Sequence, residues 1–292
     1  MTIVLITLDT CKHRFYFMHI FQQGLGMANV FAYQSSQIDW CEDNFQFSEK
    51  VAEFYNTISS VSFFISSPIM MYLLHPYAQK RSRAVYLIWV MIMFVGVFSA
   101  YYHMTLSYFG QLLDELSILW VLAIGYMLWF PRRHMPTFIK TRKSFSLIVF
   151  LAALLSTILS FFKPTVNAYA LNCVALHIIY VISLELKRCT DQRIINLAIV
   201  TVAWWFVAIS CWLSDRLLCG FWRQINFYYL HSFWHVLINI AVVHGTTLFA
   251  YFDAFYEIPE TNPEVKYWPV DSQWLGLPYL AIGDKDHLRK SC

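Results

Sequence analysis

Apolar residues in this sequence are gathered into seven stretches of about 20 residues, the length at which a helix crosses the hydrocarbon core of a bilayer. The chain is 58% apolar and only 13% charged, a balance that cannot cover a water-facing surface. We therefore predict an all-α polytopic membrane protein, a bundle of seven transmembrane helices. The predicted spans are 54–74, 84–103, 112–130, 144–162, 168–186, 194–213 and 230–252.

The spans define one catalytic membrane domain, which we place at residues 34–253. Residues 1–33 form an N-terminal extension before it, and Met27 is a candidate start for a shorter product. Residues 254–292 contain four prolines among acidic and polar positions, so we expect an irregular cytosolic tail.

Basic residues predict the orientation of the bundle. Lys and Arg are concentrated in the first, third and fifth connections between the spans, and the alternate connections contain few. Positively charged loops stay on the cytosolic side during insertion, so the N-terminus is predicted to be lumenal and the C-terminus cytosolic. The net charge of +3 thus reflects topology, and no basic face with interleaved aromatic residues indicates nucleic-acid binding.

Three histidines fall at predicted helix ends on the lumenal side. His231 and His235 are four residues apart, which places them on one face of a helix, and His103 ends a helix that finishes at the same level. Ionisable groups in membranes are costly, so this cluster predicts a metal site rather than three separately hydrogen-bonded histidines. Three imidazoles with an open position are typical of catalytic zinc, which acidifies water and polarises a carbonyl.

Polar residues near these histidines suit a hydrolytic role. Ser99 lies one turn from His103, where its hydroxyl can donate to an oxyanion or bond to the carbonyl four residues earlier. Asp114 opens the third predicted span and can transfer protons; the alternative for it and Glu115 is the favourable placement of acids at a helix N-terminus. Asp215 is a candidate for orienting a ligating histidine.

An acidic segment, residues 39–44, precedes the first span, and Glu53 stands at the span's entry. Carboxylate and amide oxygens are calcium ligands, but without further support a solvated acidic face is the preferred interpretation. Cys41 and Cys219 are both predicted to be lumenal, where an oxidising compartment permits a bridge. Cys11 can compete for that bridge, and two free thiols are the alternative.

Several of these segments resemble the alkaline ceramidase family, part of a wider group of seven-helix membrane hydrolases that includes the adiponectin and progestin receptors. The resemblance covers nearly everything from residue 31 to about residue 279. The segments that carry it are 39–44 (DWCEDN), 52–57 (AEFYNT), 99–106 (SAYYHMTL), 111–115 (QLLDE), 212–216 (WLSDR) and 231–235 (HSFWH).

The resemblance implies a calcium-stimulated amidohydrolase, most active at alkaline pH, that cleaves the N-acyl bond of ceramide to sphingosine and a fatty acid. Ceramide in the bilayer, water and membrane lipids are the implied partners, with no obligate protein partner. The implied location is the endoplasmic reticulum membrane, with the Golgi membrane as an alternative. A seven-helix receptor with a structural or ligand-regulated zinc is the competing interpretation.

The same resemblance assigns residues to two metal sites and a disulfide. Zinc is implied at His103, His231 and His235, with Ser99 and Asp114 at the reacting centre. Calcium is implied at the side chains of Asp39, Glu42, Asn44 and Glu53 together with the backbone carbonyl of Trp40. A disulfide is implied between Cys41 and Cys219.

Overall fold

The computed structural model describes residues 29–273 and 275–283, and within them the chain is mostly helical. The predicted extension before residue 29, including Met27 and Cys11, and the end of the tail lie outside the described residues. The helices are α1 (Phe54–Ser59), α2 (Val61–Leu73), α3 (His75–Lys80), α4 (Ala84–Thr105), α5 (Tyr108–Trp129), α6 (Arg142–Phe162), α7 (Thr165–Leu186), α8 (Gln192–Gln224) and α9 (Leu230–Glu257), with short 3₁₀ turns at Arg132–His134 and Pro259–Thr261.

Six of the described helices, α4 to α9, are long and apolar enough to cross a membrane. On α6, Leu147, Leu151 and Leu155 follow one another at four-residue spacing and are 57%, 52% and 58% exposed. An apolar face turned outward in this way suits contact with lipid chains. The first predicted span, 54–74, is divided at Ser60 into α1 and α2, and neither helix alone has the length of a span.

The sixth apolar stretch is longer than its predicted range of 194–213. Helix α8 continues to Gln224 and bends at Leu218, whose φ of −117° and ψ of 20° are not helical. Cys219 therefore lies in the last turns of α8 and not in a loop before α9. The bend redirects the end of the helix toward the N-terminal segment.

The N-terminal segment, residues 29–53, lies across the end of α4. Its backbone amides donate to carbonyls that the last turn of a helix leaves without an internal partner. The amide and carbonyl pairs are Gln34 with Thr105, Ser36 with Leu106, Ala52 with Met104 and Glu53 with His103, at 2.9–3.0 Å. These bonds fix the acidic segment over the end of the bundle where α4 and α8 finish and α5 and α9 begin, which we call the histidine end.

The opposite end of the bundle carries the basic clusters, several of which are paired with acids of α7 and α9. The Arg81 guanidinium contacts Asp253 at 2.7 Å, and Arg132 contacts Glu257 at 2.8 Å. Arg133 pairs with Glu185 of α7. These ion pairs join the connections between helices to the helices themselves.

The tail is not irregular throughout, and the prediction is wrong for residues 264–268 and 277–281, which form strands. Strands β1 (Glu264–Trp268) and β2 (Leu277–Ala281) form an antiparallel pair in which Val265 faces Leu280. Both of these side chains are buried in the main apolar core, and Thr247 of α9 donates to the Pro278 carbonyl at 2.9 Å. The hairpin therefore packs against the opposite end of the bundle.

Candidate metal centre

Three buried imidazoles meet at the histidine end. His103 comes from the last turn of α4, and His231 and His235 come from the first two turns of α9. One ring nitrogen of each lies within 4.8 Å of the other two, and the residues are 0%, 2% and 1% exposed. The four-residue spacing and the opposite directions of α4 and α9 bring the rings together as the sequence predicts.

Two of the ring nitrogens lack a hydrogen-bond partner among the described residues. His103 Nε2 and His231 Nδ1 are buried and receive no hydrogen bond from the described residues. A buried polar atom without a partner costs about 1–3 kcal/mol, so such atoms call for a compensating contact. A metal ion among the three rings supplies one, and a set of three imidazoles suits zinc. The residues present therefore fit the implied metal.

The orientations of two rings are fixed from outside the cluster. His103 Nδ1 lies 2.5 Å from Glu53 Oε2, and His235 Nδ1 lies 2.6 Å from the Ser59 hydroxyl. Each contact occupies Nδ1 and leaves Nε2 turned toward the centre, the arrangement by which proteins set the tautomer of a ligating histidine. Sequence reasoning missed Ser59 and assigned Glu53 to calcium alone.

Aromatic rings hold His231. The Trp40 ring stacks on it at a centroid distance of 3.7 Å and an angle of 22°, and Trp234 stacks on it at 5.1 Å. Trp40 belongs to the acidic segment, so a side chain of the segment that carries the candidate calcium ligands also packs directly on a candidate zinc ligand.

Asp215 acts on the backbone of this region. Its carboxylate accepts from the amide of His231 at 3.3 Å and from the amide of Cys41 at 3.0 Å. The prediction that it orients a ligating histidine is therefore modified: the acid satisfies an amide in the first turn of α9 and ties that turn to the N-terminal segment.

Ser99 and Asp114 lie next to the histidines. The Ser99 hydroxyl is 3.4 Å from His235 Nε2 and 3.2 Å from the Ser60 hydroxyl. The Asp114 carboxyl lies beside the Ser99 hydroxyl. Ser99 thus contacts one histidine of the cluster, and Asp114 is adjacent to Ser99.

Asp114 and Glu115 do not stand at a helix N-terminus, so that interpretation of the two acids is wrong. Helix α5 begins at Tyr108, with no acid in its first turn, and the Ser107 hydroxyl caps it by accepting from the Gly110 amide. Glu115 accepts from the Gln111 side chain. The N-terminus of α5 is therefore capped without either acid.

Within the acidic segment Glu42 is folded inward, whereas Asp39 is exposed and Asp43 and Asn44 are half-buried. Glu42 and Glu53 are 2% and 0% exposed. Both Glu42 carboxylate oxygens accept backbone amides at the start of α1, and the Asn44 amide nitrogen donates to Asp39. Burial raises the pKa of Glu42 to about 7, and burial with the nearby Asp39 carboxylate raises the pKa of Glu53 to about 8. A cation here would offset the cost of keeping these acids charged.

The fit to calcium rests on composition and burial. Asn44 Oδ1 is buried without a hydrogen-bond partner among the described residues. An amide oxygen of this kind can bind calcium. In the structure the Asn44 amide nitrogen faces Asp39. Rotating this amide group by half a turn would place its oxygen there instead. Metal-ligand atoms of three His, Cys, Asp or Glu side chains lie within 4.8 Å of one another at one place in the described part of the chain. That place is the histidine cluster.

A disulfide joins Cys41 to Cys219 with a Cα–Cα distance of 5.3 Å, which confirms the predicted pairing. The bond links residues 178 positions apart and fastens the acidic segment to the bent end of α8. It therefore supports the same contacts as Asp215.

A bundle of long apolar helices with a buried three-histidine cluster at one end defines a multi-pass membrane protein with a candidate metal centre. Comparison with known proteins gives the family: a sequence model of the Ceramidase family matches residues 32–281, and the chain belongs to that family.

Curated relatives agree over nearly their whole length. The chain is 54% identical to human alkaline ceramidase 1 over 89% of this chain and 100% of the relative. It is 52% identical to mouse alkaline ceramidase 1 over 94% of this chain and 100% of the relative. Identity to Drosophila melanogaster alkaline ceramidase is 42%, over 85% and 88% of the two chains. The family expected from the sequence motifs is confirmed.

Proposed function

We propose that this protein is a zinc-dependent amidohydrolase that cleaves the N-acyl bond of ceramide, releasing sphingosine and a fatty acid. The observation that carries the proposal is the cluster of three buried imidazoles, two with orphaned ring nitrogens, in a chain of the ceramidase family. Its relatives are named for this activity. Their names favour an enzyme over a receptor.

The residues around the cluster have distinct roles in the proposed reaction. A zinc ion held by the three histidines would act as a Lewis acid on the amide carbonyl and lower the pKa of water to about 7. Asp114 accepts the proton of the attacking water and delivers it to the leaving sphingoid nitrogen. The Ser99 hydroxyl, beside His235 Nε2, donates a hydrogen bond to the carbonyl oxygen as negative charge develops there.

We propose that ceramide reaches this centre from within the bilayer, with its tails between the helices. Counting α1 and α2 together as one span gives seven, with the histidine end lumenal and the basic end cytosolic. The ion-paired Arg residues of the opposite end support this orientation. We place the protein in the endoplasmic reticulum membrane, with the Golgi membrane as the alternative.

We also propose that calcium binds the side chains of Asp39, Glu42, Asn44 and Glu53 and the Trp40 carbonyl. The ion would hold charged carboxylates that burial otherwise disfavours. Because Trp40 stacks on His231 and Glu53 bonds to His103, calcium would stiffen the surroundings of the zinc ligands without entering the reaction.

The proposed function is tested by two measurements on one purified sample: metal content by elemental analysis and fatty acid released from ceramide. We expect stoichiometric zinc and ceramide hydrolysis, with activity lost on chelation and restored by added zinc. A sample that holds no zinc, or that hydrolyses no ceramide when zinc is bound, contradicts the proposal. Agonist-dependent signalling without lipid turnover would instead support the receptor.

Substitution of Asn44 by alanine tests the calcium site. We choose Asn44 because Glu53 also contacts His103, so changing Glu53 would disturb both sites. Removing one ligand should raise the calcium concentration for half-maximal stimulation by about tenfold or more. The measurement is hydrolysis across a calcium titration in a chelator buffer.

Asp43 provides the matched control for this variant. Its carboxylate lies in the same segment but pairs with Arg223 at 2.9 Å and is not a proposed ligand. Asp43→Asn should therefore keep the wild-type calcium response. If Asn44→Ala responds to calcium as the wild type does, the assignment of Asn44 fails.

A further inference from the structure

Asn56, in the first turn of α1, is held from three directions. The residue is 1% exposed. Its backbone amide donates to Glu42 Oε2 at 2.9 Å, and its side-chain nitrogen donates to Glu53 Oε2 at 3.0 Å. Its side-chain oxygen accepts from the Ser232 hydroxyl of α9 at 2.6 Å. The acidic segment and α9 together fix the position of this residue.

The backbone carbonyl of Asn56 is linked to the candidate metal centre by hydrogen bonds. It accepts from the Ser59 hydroxyl at 3.0 Å and lies 3.1 Å from the Ser60 hydroxyl. The Ser59 oxygen is 2.6 Å from His235 Nδ1, and the Ser60 oxygen is 3.2 Å from the Ser99 hydroxyl. Through Ser59, this backbone oxygen is two hydrogen bonds from a candidate metal ligand. The single Ser60 proton can go either to the Asn56 carbonyl or to Ser99, so Ser60 adds no second continuous path.

The position of the Ser59 hydroxyl proton determines which atom donates and which accepts in this network. Because Ser59 donates its single hydroxyl proton to the Asn56 carbonyl, its oxygen is left to accept from His235 Nδ1. His235 then carries its proton on Nδ1 and presents a lone pair at Nε2, toward the other two rings. If the Asn56 carbonyl moved away, Ser59 would be free to donate to His235 Nδ1, and the tautomer protonated on Nδ1 would no longer be favoured.

We propose that Asn56 is a positioning residue that sets the tautomer and orientation of His235 through Ser59. The inference rests on the proposed function and deepens it. Asn56 is not itself a proposed ligand of zinc or calcium, but it contacts two proposed calcium ligands, Glu42 and Glu53. It acts because its side chain fastens the first turn of α1 to Glu53 and to Ser232.

The test compares Asn56→Ala with Asn239→Ala. Asn239 is a matched control because it is also a buried amide that links α9 to α2, through Ser66 and the Ser62 carbonyl. Asn56→Ala should lower kcat by about 10–100-fold with little change in KM, and bound zinc should pass to a chelator faster than in the wild type. Asn239→Ala should lower Tm but keep the wild-type kcat and zinc release.

A second variant keeps the inference testable if Asn56→Ala does not fold. Ser59→Ala leaves Asn56 in place and removes only the link to His235, so it should speed zinc release in the same way. Combining it with Asn56→Ala should give less than the sum of the two effects, because both act through one path.

The outcomes separate this inference from the proposed function. Wild-type kcat and zinc release in Asn56→Ala, or in Ser59→Ala where the first variant does not fold, would overturn the inference. Equal losses in Asn56→Ala and Asn239→Ala would also overturn it, since they would show a general structural role. Wild-type protein without zinc or hydrolysis would instead remove the proposed function itself.

Discussion

Replacing His231 with alanine is expected to remove both the bound metal and the hydrolysis of ceramide. Two imidazoles remain, and the loss of the third leaves too few protein ligands for a catalytic zinc site. We expect ceramide turnover to fall by about a thousandfold or more, because carbonyl polarisation and water activation are lost together. Zinc content and fatty acid release should be measured on the same purified variant.

His244 offers a control on the same helix. It is also a buried histidine of α9, but its Nδ1 bonds to the Ile240 carbonyl of its own helix at 2.8 Å. His244→Ala removes the same side chain from the same bundle and should keep full zinc. Should the His231→Ala protein retain zinc and release fatty acid at the wild-type rate, the metal centre is misassigned.

The long helices could be predicted because crossing a bilayer imposes a length and an apolar composition that are visible in the sequence. The hairpin could not, since Val265 and Leu280 become buried only by pairing with each other and packing on the bundle. The prolines around them indicated irregular structure. The extension of α8 beyond residue 213 could not be predicted for a related reason. Its last turns lie beyond the apolar stretch, and the disulfide of Cys219 fixes them to the N-terminal segment.

The three histidines could be predicted because they combine a costly residue type, a helical spacing and a common depth. The residues that orient these histidines could not be predicted. The contact between Glu53 and His103 spans 50 residues, and the contact between Ser59 and His235 spans 176. Serine and asparagine are common at helix ends, so nothing in the sequence distinguishes Ser59 or Asn56 until the helices are packed.

Asp114→Asn should separate catalysis from metal binding. The carboxyl lies beside Ser99 but is not one of the three converging ligand atoms, so the variant should keep full zinc. An amide of the same size cannot accept a proton from water and return it to the leaving nitrogen. We expect kcat to fall by about 10²–10⁴-fold, the usual contribution of a general acid and base.

Glu115 is the matched control, because it is the next residue on α5 and its carboxylate is engaged by the Gln111 side chain at 2.9 Å. Glu115→Gln makes the same chemical change one position away and should alter kcat little. The measurement is kcat and zinc content for both variants beside the wild type. If Asp114→Asn turns over ceramide normally, or if Glu115→Gln loses turnover in its place, proton transfer belongs to another group.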